Sequence, residues 1–243
     1  MTRQELKDFR RSYFFPTLEC RAIGNAADAN IIVALTFGRN TFPDNGLNEM
    51  LLRFGLGDNL HTREVFEQLD RARFDPGLTN FHIADRVWKE YQKNPDAHVY
   101  CQWEVAFVLW YERPEIFKAP ETYRRFHVVW PFSEASFDSY AVLEEVYKET
   151  RFLTPTYTRR ALIIAQDYHI ARVVAIAWKM GFEVMTGEPG IKDFDEKSVQ
   201  PFTRSLNAWL LREYVVRLAH HPLKGKVRLS PPSPLTEPTL AAV

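Results

Sequence analysis

Three polar side chains interrupt an otherwise apolar stretch, "RALIIAQDYHIARVVAIAWKMGFEV", at residues 160–184. The first half has the composition of a buried strand, and the second half has helical spacing. Asp167 is predicted to cap this helix. His169 then lies in the first turn, where the helix dipole favours a neutral imidazole that can donate to an oxyanion or accept a proton. Arg172 shares a face with His169 and can bind a phosphate or carboxylate through two parallel bonds.

The alternative for these three residues is a helix cap and a surface salt bridge, without any ligand. Polar residues that follow two other predicted strands favour a ligand-binding site over this alternative. Gly38 and Asn40 follow the first strand, where a glycine lets the backbone approach a ligand closely. Gln102 and Glu104 follow the second strand, and Glu104 could orient a hydroxyl group or act as a general base. Gly38 could equally be a turn glycine, and Glu104 an acid stabilised by the helix dipole.

Serines recur at intervals of three in "PFSEASFDS", which follows the third predicted strand. A single hydroxyl there would be explained as a helix cap. Additional hydroxyls beside the free amides of a helix N-terminus also suit a phosphate group. We therefore predict that Ser136 and Ser139 take part in ligand binding.

These residues need a scaffold that brings strand ends together. Apolar, β-branched runs predict five strands, at residues 29–37, 97–103, 126–132, 160–166 and 182–186. Helical periodicity predicts helices at residues 47–54, 62–71, 81–91, 136–152, 169–180 and 203–221. This alternation predicts an α/β, three-layer Rossmann-like fold with a mainly parallel sheet and helices on both faces. In such sheets ligands bind beyond the carboxyl ends of the strands.

Length and composition limit the class of protein. The 243 residues suit one α/β domain, predicted over residues 1–222 with a helical insertion near 47–93, followed by a Pro-rich, disordered tail at 223–243. Lys plus Arg and Asp plus Glu both number 31, which argues against a nucleic-acid partner. Two cysteines suit the reducing cytoplasm, and Cys101 is expected to be a buried small side chain. No apolar run is long enough to span a membrane, and no metal-binding motif is present, so neither a membrane nor a metal is expected.

The strand–helix motif resembles the signature of the YdcF-like family. In that signature a small or polar residue, a histidine and an arginine three residues later precede a helix that ends at a glycine. Asp167, His169, Arg172 and Gly181 match this pattern. The resemblance implies a Rossmann-like domain with its pocket at the strand ends and a nucleotide-like ligand, such as S-adenosylmethionine.

Three further segments resemble the same family. "SEASFDS" resembles its Thr-x-Glu-Asn helix start, with Ser136 and Asp138 in place of Thr and Glu, and Ser139 in place of Asn. "QWEVA" resembles its acidic segment and points to Glu104. "IIVALTFGRN" resembles its first strand and glycine loop, with one glycine where many members have two.

Three hypotheses follow for function. The first is an enzyme, such as a hydrolase or transferase, that acts on an anionic or phosphate-bearing small molecule. In this hypothesis Arg172 and helix amides bind the anion, and His169 serves as acid, base or oxyanion donor. Glu104 orients a hydroxyl group or a water molecule, and Ser136 and Ser139 add hydrogen bonds. The second is a non-catalytic binder of a nucleotide-like cofactor such as S-adenosylmethionine. The third is a partner-binding protein that uses its aromatic side chains and Pro-rich tail.

Overall fold

Five parallel strands form one sheet in the part of the chain that the computed structural model describes, residues 3–14, 22–41, 62–130, 138–150 and 158–219. They are β1 (Ile31–Ala34), β2 (His98–Gln102), β3 (Phe126–Val129), β4 (Arg160–Ile164) and β5 (Glu183–Thr186). Every residue of β1 is buried, which explains its unbroken apolar sequence, since a central strand is covered on both faces. The predicted α/β, three-layer Rossmann-like fold is confirmed.

The strand order is β3-β2-β1-β4-β5, so the direction of strand addition reverses beside β1. β2 and β3 follow on one side of β1, whereas β4 and β5 lie on the other. Ala34 of β1 pairs with Ile164 of β4, and both are the last residues of their strands. The switch point therefore lies between the carboxyl ends of β1 and β4, where open α/β sheets bind ligands.

Helices cover both faces of the sheet. One face carries an apolar cluster that includes Phe66, Ile83 and Trp103, and the other carries a cluster that includes Phe9, Val142 and Val173. The helices among the described residues are α1 (Arg3–Phe14), α2 (Thr62–Arg71), α3 (Leu78–Lys93), α4 (Trp103–Glu112), α5 (Pro120–Tyr123), α6 (Ser139–Thr150), α7 (Asp167–Lys179) and α8 (Leu206–Ala219). None of these helices is long and apolar enough to cross a bilayer.

The segment interpreted as a helical insertion supplies α2 and α3 between β1 and β2. α3 packs against α4 and contacts β1 and β4, so it forms part of the layer on one face of the sheet. The predicted helix at residues 47–54, Ser136 and the tail at 223–243 lie outside the described residues. Cys101 is buried in β2 as expected, and burial raises the pKa of its thiol.

Candidate functional site

The segment that follows β1 is fixed by a buried amide on α3. The Asn80 Oδ1 atom accepts hydrogen bonds from the Thr36 hydroxyl (2.8 Å) and the Phe37 amide (2.9 Å), and its Nδ2 atom donates to the Gly38 carbonyl (2.7 Å). Asn80 is fully buried, so these bonds satisfy groups that would otherwise be costly to desolvate. Sequence analysis missed Asn80, although an amide three residues before Ile83 on an apolar helix face was a usable signal.

Gly38 is required by packing. Its φ of +74° is disfavoured for other residues, and an added Cβ atom would lie 2.6 Å from the Thr203 Oγ1 atom and 3.0 Å from the Ser198 Oγ atom. The sequence predicted that a ligand approaches the backbone closely at Gly38. In the structure, Ser198 and Thr203 in the segment before α8 make this close approach. A ligand-binding role for Gly38 stays a prediction.

Asn40 and Gln102 also bind other parts of the chain. Asn40 Nδ2 donates to the carboxylates of Asp75 (3.0 Å) and Asp195 (2.8 Å), which ties the loop after β1 to two other loops. Gln102 Oε1 accepts a bond from the Thr36 amide at 3.1 Å, which joins the ends of β1 and β2. Both residues therefore shape the carboxyl edge of the sheet, whatever else they bind.

Glu104 is a buried carboxyl group at the start of α4, only 3% exposed. Its Oε1 atom lies 3.3 Å from the Arg39 guanidinium, while its Oε2 atom has no hydrogen-bond partner among the described residues. Burial raises the pKa of Glu104 to about 7, against the opposing charge of Arg39. A carboxyl group with such a pKa exists in both protonation states near neutral pH, which is what general acid–base catalysis requires.

His169 and Ser139 form a second buried polar pair. The Ser139 Oγ atom lies 2.8 Å from the His169 Nε2 atom, and the two residues join the first turns of α6 and α7. The imidazole also packs against Phe37, at 6.1 Å between ring centroids, and against Trp209, at 5.4 Å. A serine bonded to a histidine can fix the imidazole for proton transfer or become a nucleophile itself.

The prediction that Asp167 caps α7 is wrong. The N-cap is Gln166, whose side chain accepts a bond from the Tyr168 amide at 2.9 Å. Asp167 is the first helical residue, and its carboxylate accepts bonds from the amides of Gly190 (2.8 Å) and Ile191 (3.1 Å). Because these amides are donated by the loop after β5, Asp167 holds that loop against α7.

The helix amides expected to bind an anion are engaged within the protein. In α7 the Tyr168 amide donates to the Gln166 side chain, and the His169 amide donates to the Gln166 carbonyl. In α6 the two amides after Ser139 both donate to the Asp138 carboxylate at 3.0 Å. An anion at this edge would therefore depend mainly on side chains.

Arg172 pairs with α8. Its Nε atom lies 3.0 and 3.1 Å from the two carboxylate oxygens of Glu213, a residue with no exposed surface. The alternative interpretation of the sequence was a surface salt bridge. Arg172 does form a salt bridge, but it is a buried one. Arg172 could bind a ligand only by sharing or breaking this contact, and its predicted role in binding stays a prediction.

Arg212 is a cation that sequence analysis missed. Its guanidinium carbon lies 3.7 Å from the Phe202 ring centroid and 5.8 Å from that of Trp209. Nothing in the pattern of α8 distinguishes Arg212 from a surface arginine, because Arg172 and Asp138, whose charges act on it, are distant in sequence.

Within the described residues, no group of three or more His, Cys, Asp or Glu side chains is placed to hold a metal ion. Comparisons of the chain with family models, curated proteins and solved structures gave no match. The resemblance to the YdcF-like family accordingly stays a prediction that depends on the motifs themselves.

Proposed function

We propose that this chain binds an anionic or phosphate-bearing, nucleotide-like small molecule beyond the carboxyl ends of β1, β2 and β4, and that it acts on this ligand as an enzyme. The observation that carries the proposal is Glu104. Its carboxyl group is buried, has one oxygen without a partner among the described residues, and has a pKa of about 7. Perturbed carboxyl groups of this kind concentrate at functional sites.

The arrangement of His169 supports the same site. Phe37 packs against its imidazole, and Arg39, two residues further along the segment after β1, pairs with Glu104. The two titratable groups thus contact the same short segment at the switch point. In the proposed reaction Glu104 and His169 exchange protons with the ligand, and Ser139 holds the imidazole.

The charges around the site support an anionic ligand. Arg39, Arg172 and Arg212 all lie at this edge, and the first two are paired with buried carboxyl groups. The resemblance to the YdcF-like family adds nucleotides and S-adenosylmethionine to the candidate ligands. We also propose a cytoplasmic protein without a nucleic-acid partner, for which the two cysteines and the balanced charge are the support.

A thermal-shift screen tests the proposal. The ligands are nucleotides, S-adenosylmethionine, sugar phosphates and inorganic pyrophosphate, each added to the wild type, His169→Ala and Glu104→Gln. A ligand at 100 times its Kd should stabilise the wild type by about 2.7 kcal/mol. For a chain of this size we expect a rise in Tm of roughly 5–10 °C. The rise should shrink in both variants.

His82→Ala is the matched control, because His82 is half exposed on α3 and bonds to Asp193. It should keep the full response to the ligand. A ligand that stabilises all variants equally, or no response from the wild type across the panel, would contradict the proposal. Chromatography of the bound ligand after long incubation then separates the two remaining hypotheses: a changed ligand shows catalysis, and an unchanged ligand favours the non-catalytic binder.

A further inference from the structure

Arg212 is a half-buried cation in α8. It makes no ion pair or hydrogen bond within the described residues, and its guanidinium group stacks on Phe202 at 3.7 Å. Glu213, a buried acid beside it in the sequence, bonds to Arg172 through both carboxylate oxygens. A half-buried cation without a hydrogen-bonded acid is costly, because the charges of Glu213 and Asp138 offset its desolvation only in part.

Arg212 belongs to the same edge of the sheet as His169. Both side chains flank Trp209, whose ring centroid lies 5.8 Å from the Arg212 guanidinium carbon and 5.4 Å from the imidazole centroid. Asp138, whose charge acts on Arg212, directly precedes the Ser139 that bonds to His169. The shared Trp209 ring and the charge of Asp138 thus place this cation beside the proposed site.

The stacking on Phe202 has a structural interpretation, since a cation over an aromatic ring stabilises the packing of α8. That contact uses the flat face of the guanidinium group. The N–H donors lie in its plane and can still form two parallel bonds to a phosphate or carboxylate. Burial lowers the pKa of Arg212, the charge of Arg172 lowers it further, and Glu213 and Asp138 raise it. An arginine nevertheless remains charged at neutral pH.

We propose that Arg212 is the residue that anchors the anionic group of the ligand. Phe202 fixes the plane of the guanidinium group, and Glu213 bonds to Arg172, so the N–H donors of Arg212 have no acceptor among the described residues and are available to the ligand. The assignment rests on the proposed function and moves the anion-binding role from Arg172, which the motif indicated, to a residue on α8.

Calorimetric titration with inorganic pyrophosphate at fixed ionic strength tests this assignment. Arg212→Gln should weaken binding about 10- to 100-fold, as expected when a hydrogen-bonded charge is lost. Arg212→Lys keeps the charge but not the parallel pair of donors, so its loss should be smaller. Arg63→Gln is the control for net charge, because Arg63 is largely exposed on α2, and its Kd should stay within about twofold of the wild type.

The outcomes separate this inference from the proposed function. If His169→Ala weakens pyrophosphate binding and Arg212→Gln does not, the site stands and the anchor assignment is overturned. If Arg212→Gln alone weakens binding, the anchor stands and His169 is excluded from the anion site. No binding by the wild type, or equal binding by all variants, overturns both. Circular dichroism melts of each variant show whether a loss of binding reflects a loss of fold.

Discussion

At the residue scale, the Glu104 carboxyl group supports the proposed function, and its ionisation also destabilises the folded protein. Its pKa of about 7 in the folded protein exceeds the ordinary value of 4.5. The folded state therefore favours the protonated acid, and the stability this provides is present below pH 4.5 and lost as the pH rises to about 7. Since a pKa difference of one corresponds to about 1.4 kcal/mol, ionisation of Glu104 costs roughly 3 kcal/mol of stability.

Glu104→Gln should therefore stabilise the protein at alkaline pH while it weakens ligand response. We expect its free energy of unfolding to exceed that of the wild type by about 2–3 kcal/mol more at pH 8 than at pH 4.5. Urea denaturation of both proteins across this range measures the difference. A constant difference at all pH values would show that the carboxyl group does not titrate as inferred.

Sequence reasoning located some site residues because strand ends are visible as the ends of apolar runs. Glu104 and His169 were found in this way, and the structure places both at the carboxyl edge. Asp167 was assigned to the cap because its carboxylate could reach free amides, but the amides it binds come from Gly190 and Ile191, more than twenty residues later. Contacts of this range leave no mark on local spacing, and the charges of Asp138 and Arg172 that act on Arg212 are likewise distant in sequence.

At the element scale, α7 and α8 are joined by the buried pair of Arg172 and Glu213. Arg172→Ala should destabilise the protein by about 3–5 kcal/mol, because it removes the arginine that bonds to both oxygens of the buried Glu213 carboxylate. The double variant Arg172→Met, Glu213→Leu should recover most of this loss, since it removes both charges at similar volume. Urea denaturation midpoints of the two variants measure the effect; a double variant no better than the single one would contradict it.

The elements themselves were largely predictable. α2 begins and ends at the predicted residues, and β1 to β5 lie within the predicted runs, which extend beyond the paired residues at one or both ends. The reason is that an apolar run continues into the buried loops that follow a strand, as at Leu35 and Ala165. The strand order was not predictable in this way, because periodicity shows which face is buried and does not show which strand is the neighbour.

At the scale of the whole molecule, burial shifts pKa values in opposite directions at the two ends of the strands. At the carboxyl ends it raises the pKa of Glu104, and at the amino ends it lowers the pKa of His98. At the amino edge, His98 Nδ1 lies 3.0 Å from His127 Nε2, and His127 Nδ1 lies 3.0 Å from Glu149 Oε1. Burial lowers the pKa of His98, as do His127 and Arg125, while Glu149 raises it. The two histidines are 29 residues apart in the sequence, and the pairing of β2 with β3 brings them together.

A lowered pKa gives His98 a stability contribution that is present above its ordinary value of 6.5 and lost as the pH falls towards the folded-state pKa. Because the titration of Glu104 acts in the opposite direction, the test is the difference between the two proteins: from pH 7.5 to pH 5 the free energy of unfolding of His98→Gln should rise relative to that of the wild type. The substituted amide side chain keeps a donor for His127 and does not titrate. Chemical denaturation at the two pH values gives both slopes, and equal slopes would rule out His98 as the source.

The central position of β1 has a consequence for synthesis of the chain. Its first neighbour, β2, is complete by residue 102, but its second, β4, is complete only at residue 164. A growing chain that has already paired β1 with β2, and β2 with β3, thus carries an open, fully apolar edge on β1 until β4 emerges. At translation rates of about 5–20 residues per second, that interval lasts for several seconds, during which the nascent chain depends on its surroundings to keep this edge from pairing elsewhere.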